Sequence, residues 1–167
     1  GIYRPGNTAT GDYSIATGYQ SEASGDYSTA MGSFIWASGD FSTAIGLEIT
    51  ASGSNSTAMG NGTAASGDVS TAMGFGVTAS GDFSTAMGIF TRASGFTSTS
   101  MGLFTIASGD SSTAMGDSTT ASDYGSLVID NMTANAGNID ITSDYMKITI
   151  GYSEGYNFIF DIRRLLH

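Results

Sequence analysis

The chain has 167 residues, of which 24 are Gly, 1 is Pro and none is Cys; 15 acidic residues face 5 basic ones, for a net charge near −10. Without Cys there is no disulfide framework, no thiol nucleophile and no thiolate metal site, and the single His is the last residue, His167, so neither a histidine triad nor a histidine metal cluster is expected. The acidic balance argues against a nucleic-acid partner, which needs a basic footprint, while 40% hydrophobic and 12% charged residues do not describe a disordered chain.

Residues 1–8 hold the only Pro, Pro5, and read as a lead-in or connector. The start at Gly1, without Met, points to a processed chain or a fragment. From Ala9 the chain is in register with itself. Ala recurs every seventh residue up to Ala121, with Ser100 the one exception, and Gly follows two residues later from Gly11 to Gly116. The pattern lapses at Asp123. Two kinds of seven alternate, one like Ala30-Met31-Gly32 and one like Ala37-Ser38-Gly39, so the true period is fourteen: Ala-Ser-Gly-Asp-x-Ser-Thr-Ala-Met-Gly and four variable positions. Such a repeat marks a stacked architecture. A coiled coil is excluded, because its seam needs large apolar residues and a Gly in every heptad costs about 1 kcal/mol against Ala in a helix. Collagen is excluded because it needs Gly at every third position.

A parallel β-solenoid of about eight fourteen-residue coils over 9–122 fits the pattern. Each coil would hold one strand like Ser28–Gly32, a second like Ile35–Gly39, and two tight turns with Gly-Asp chemistry. Coils stacked at roughly 4.8 Å make a rod of about 40 Å. Alternation places Ser28, Ala30 and Gly32 on one face and Thr29 and Met31 on the other. We assign the Ala and Gly face to the interior, with the row Ser21, Ile35, Ile49, Thr63, Val77, Thr91, Thr105, Thr119 beside it. The outer row then carries Met31, Ile45, Met59, Met73, Met87, Met101 and Met115, six of the eight methionines. An outer apolar stripe of this length calls for burial against other copies around a symmetry axis. The alternative turns Met inward as a core filler and Ala outward.

Several other rows invite chemistry. Asp12, Asp26, Asp40, Asp68, Asp82 and Asp110 would stack, which suits either a divalent cation or simply a good turn residue; one carboxylate per coil favours the turn, and no metal is assigned. The Thr row from Thr29 to Thr113 suits an ice or mineral surface, or a strand at an interface. The variable positions expose Phe34, Trp36, Phe75, Phe90, Phe104 and Ile106, where a rigid scaffold would present recognition residues, unless they pack against a subunit or a neighbouring coil. Gly60-Asn61-Gly62 and Gly74-Phe75-Gly76 lack the third Gly and the helix of a dinucleotide loop. No acid, base and nucleophile converge in the pattern, so neither enzyme activity nor a cofactor is expected.

Residues 123–167 change in composition and read as a small β-rich cap or connector. Leu127–Asp130, Asn138–Thr142, Tyr145–Ile150 and Tyr156–Ile162 have strand character. No run approaches the roughly 18 apolar residues of a membrane-spanning helix.

The motifs Ser28-Thr29-Ala30-Met31-Gly32 and Ala37-Ser38-Gly39 resemble the head repeats of trimeric autotransporter adhesins, the YadA-like head family. The resemblance covers about residues 9–122. It implies a left-handed parallel β-roll, with three chains packed through the positions of Thr29 and Met31. Similar repeats occur in phage and virus fibre shafts. The expected function is therefore an extracellular or cell-surface adhesive rod, self-associated as a homotrimer, that presents side-chain rows to a surface, glycan or protein receptor. A fibre or filament subunit, bacterial or viral, joined end to end through its termini is the second reading, and an ice- or mineral-binding solenoid the third.

Overall fold

A computed structural model describes residues 6–129. Every regular element among them is a strand, and every strand pairing is parallel with a shift of fourteen residues, as in Thr29↔Thr43, Thr57↔Thr71 and Arg92↔Ile106. The described chain is thus a parallel β-solenoid, as the period requires. It has two ladders. The first runs through the N-terminal parts of β2 (Ile15–Ala23), β3 (Thr29–Ala37) and β4 (Thr43–Ala51). It continues through β5 (Thr57–Asn61), β7 (Thr71–Phe75), β9 (Thr85–Ile89), β11 (Thr99–Leu103), β13 (Thr113–Asp117) and β15 (Leu127–Ile129). The second begins at β1 (Thr8–Ala9) and uses the C-terminal parts of β2 to β4. Short strands then carry it on: β6 (Ala64–Ala65), β8 (Thr78–Ala79), β10 (Arg92–Ala93), β12 (Ile106–Ala107) and β14 (Thr120–Ala121).

The first ladder has nine rungs, from Ile15 to Leu127, one more than the sequence pattern suggests. Although Asp123 breaks the Gly series, β15 pairs Thr113↔Leu127, Ala114↔Val128 and Met115↔Ile129. Its residues are bulkier than the repeat's Thr-Ala-Met, so the extra rung hides its kinship, but Val128 still packs against buried Ala107, Ala114 and Ala121. The segments expected as strands at 138–142, 145–150 and 156–162 lie outside the described residues.

The interior is narrow because small residues fill it. The Ala rows from Ala23 to Ala121 are fully buried, as are Ile35, Ile49 and Val77. Stacked backbones come so close that two positions admit only Gly. A Cβ at Gly32 or at Gly39 would overlap the carbonyl oxygen of Gly46 or Gly53 on the next rung, and Gly32 also holds φ near +136°. Between rungs the turn from strand two to strand one repeats unchanged: the N–H of Ser28 donates to Gly25 O, that of Ser42 to Gly39 O and that of Ser56 to Gly53 O, at 3.1 to 3.2 Å. These turns hold a non-Gly residue in the left-handed region, Tyr27 at φ 57° and Phe41 at φ 58°. That strain persists because the rungs above and below fix the turn on both sides.

Candidate interaction faces of the roll

Strand one turns its Thr and Met outward. Met31, at 43% exposure, stands with Met59 and Met73 as open side chains, while Ile45, Met87, Met101 and Met115 are half-buried. The inward side of the same strands carries the fully buried Ala rows, so the reading with Met inside does not hold. The stripe is in register along its whole length, Met31↔Ile45↔Met59↔Met73↔Met87↔Met101↔Met115, and Ile129 on β15 extends it. The Thr row beside it, Thr29 to Thr113, is half-buried on the same ladder.

The six aromatic and aliphatic residues expected at recognition positions are all exposed, but they fall on different rows. Phe34, Phe90 and Phe104 occupy the turn after strand one, each near φ 52° to 56°. In other rungs that position holds Gly62 and Gly76, at φ 62° and 63°, so of the glycines around Asn61 and Phe75 the second of each pair is a turn residue, while Gly60 and Gly74 lie within strand one. Phe75 lies one residue earlier in the repeat than this turn position and meets Phe90 edge-on at 5.2 Å, and Phe90 stacks on Phe104 at 5.4 Å. Phe34 meets Tyr19 edge-on at 5.5 Å. Trp36 and Ile106 stand elsewhere, on the outside of strand two.

The sequence reading missed one aromatic row. Tyr13, Tyr27 and Phe41 stack on the turn before strand one, with ring centroids 5.0 Å apart and planes within 14°. The signal was present as the variable x of Gly-Asp-x-Ser-Thr, but the turn conformation that aligns these rings is set by the stacked backbone and is silent in one repeat.

The Asp row takes part in turn chemistry. The N–H of Asp12 donates to Asp26 Oδ1 at 2.9 Å, and those of Asp26, Ser54, Asp68 and Phe96 donate to the carboxylates of Asp40, Asp68, Asp82 and Asp110 at 2.9 to 3.0 Å. Each carboxylate thus caps the turn one rung earlier, a charge-assisted bond. Among the described residues no three His, Cys, Asp or Glu side chains converge, and no helix is long and apolar enough to cross a membrane.

A single-chain parallel roll with a fourteen-residue rung, a sealed Ala–Gly interior and an apolar outer stripe is a structural repeat module. The YadA head domain repeat matches residues 9–34, 36–48, 51–76, 79–105, 93–119 and 107–129, well over half of the chain, so the chain belongs to this repeat family. A comparison with curated proteins returned no match.

Proposed function

We propose that the chain is a rigid segment of an extracellular or cell-surface adhesive protein, assembled as a homotrimer through the outer face of strand one. Its role is mechanical and presentational rather than catalytic. The observation that carries this reading is the Met stripe: seven side chains from Met31 to Met115, in strict register, turned away from a core that is already full. Burying one such side chain is worth about 1.5 to 3 kcal/mol, and a face repeated at every rung multiplies that gain. A closed cyclic assembly covers the stripe of every copy. Membership of the YadA head repeat family supports both the surface location and the threefold arrangement.

The test is the triple variant Met59→Ser, Met73→Ser, Met87→Ser. It removes apolar area from the middle of the stripe without touching the Ala core. Sedimentation is expected to show the variant at the monomer mass of 17.0 kDa with an unchanged β-sheet circular dichroism spectrum. Unaltered association of the variant would remove the Met stripe as the interface.

A further inference from the structure

Strand two presents the opposite face, and it is unlike the Met face. Just past the end of the strand runs an unbroken Ser row, Ser24, Ser38, Ser52, Ser66, Ser80, Ser94, Ser108 and Ser122, beside mostly small outer residues such as Thr50, Ala64 and Thr78. On this hydroxyl-lined surface stands Trp36, the single Trp of the chain, at 44% exposure. In the rung register Glu22 lies directly before it and Thr50 directly after it. Glu22 is exposed, as is Ser38 two residues along from Trp36.

Apart from Tyr124 near the last rung, the other exposed aromatics of the described residues already have ring partners. Tyr13, Tyr27 and Phe41 stack face to face, as do Phe90 and Phe104, and Tyr19, Phe34, Phe75, Phe83 and Phe96 sit in edge-on pairs. Trp36 belongs to none of these pairs, and its rung neighbours on the face are a carboxylate and a threonine. An exposed indole without a ring partner, flanked by a carboxylate and hydroxyls, is complementary to a sugar ring. The apolar C–H face of a pyranose meets the negative π face of the indole, and a carboxylate accepts from adjacent sugar hydroxyls. A protein hot spot would instead fill a desolvated pocket, whereas Trp36 stands 44% exposed beside small residues such as Thr50.

Charge selects the kind of sugar. The chain carries −10, Glu22 stands beside the ring, and Arg92 is the only basic residue among the described ones, four rungs further along the same row. An acidic sugar would be repelled at Trp36. An all-equatorial, β-linked neutral glycan is favoured, because its hydroxyls point sideways toward Glu22 and Ser38 while both ring faces stay apolar.

We propose that the outer face of strand two around Trp36 is a binding site for neutral β-linked hexopyranoses, with Trp36 as the stacking platform and Glu22 as the hydroxyl acceptor. The site deepens the adhesive reading and rests on it in one respect, namely that the Met face and not this one closes the assembly.

Because Trp36 is the only Trp, its emission reports on the site directly. The full-length chain is titrated with cellohexaose and chitohexaose, and with tetragalacturonate as a contrast that is acidic, α-linked and not all-equatorial. A saturable emission change with a neutral oligosaccharide is expected, and none with tetragalacturonate. Glu22→Ala should weaken the response at least about tenfold, the effect of losing one hydrogen bond to a charged group. Trp36→Ala, followed by calorimetry, should abolish binding while the mass in solution stays that of the unaltered chain. Three results would each overturn the site: no response to either neutral sugar up to about 10 mM, the weak end of specific affinity; a response only to tetragalacturonate; or full binding retained by Trp36→Ala. A failed trimer reading would show separately, as a monomer mass, and leaves the titration to be judged alone.

Discussion

Single residues in this molecule are judged by what the next rung allows. Ser100 is the one interruption of the Ala series, and the structure explains it: its hydroxyl lies 2.7 Å from that of Thr105, and both side chains are fully buried. The pair is self-satisfying. Ser100→Ala should therefore destabilise the roll by about 1 to 3 kcal/mol, because it leaves the Thr105 hydroxyl buried alone, although it restores the repeat's own residue. Adding Thr105→Val should recover most of that loss, as removal of both partners is nearly neutral. Thermal melts of the two variants check this; a Ser100→Ala chain as stable as the original would show that the hydroxyl pair contributes nothing. Not every buried hydroxyl is so placed. Ser98 donates to Gly95 O at 2.7 Å, as Ser14 does to Gly11 O, whereas Ser28, Ser42, Ser56, Ser70, Ser84 and Ser112 have no partner, although each has the same turn carbonyl three residues back.

At the scale of the element, the carboxylate ladder is the device that joins successive turns. Asp68 accepts from the N–H of Ser54 and sends its own N–H to Asp82. Asp68→Ala should cost about 1 kcal/mol, the net worth of the hydrogen bond it removes from the Ser54 N–H. Asp68→Asn keeps the acceptor and removes a charge from a like-charged row, so at low salt it should be at least as stable as the original chain. A melting temperature raised by Ca²⁺ and no longer raised after Asp68→Asn would contradict the turn reading and return the row to cation binding. The same element shows how far a sequence can be read. The period of fourteen, the inward Ala, the outward Met and the requirement for Gly all follow from spacing and side-chain size, because every rung repeats them. The ninth rung did not show, as Leu127-Val128-Ile129 keeps the apolar character of Ala-Met but puts Leu where the repeat has Thr. Nor did the Tyr13–Tyr27–Phe41 stack, because it depends on left-handed turn residues whose alignment arises only when rungs pile up. The recognition candidates were exposed as expected, yet their division between the second turn and the back of strand two required the register.

At the scale of the whole molecule, two opposed terms act on the rod. Apolar stripes favour association, while a net charge of −10, concentrated along the turn by Asp12, Asp26, Asp40, Asp68, Asp82 and Asp110, resists bringing like rods together. Screening weakens the second term and leaves the first. Raising NaCl from about 10 mM to about 150 mM, which shortens the screening length from about 30 Å to about 8 Å, should therefore raise both the melting temperature and the share of assembled protein. A fall in either would mean that attraction between charges, not burial of Met, holds the copies together. The division of faces gives the rod its proposed logic, with strand one turned to its copies and strand two to the outside. The most direct test is the mass of the unaltered chain in solution by light scattering. The account predicts a mass near three times 17.0 kDa. A monomer would contradict it, for the Met stripe would then be standing in water unaided, and a polymer of very high mass would shift the contact from the stripe to the ends of the rod.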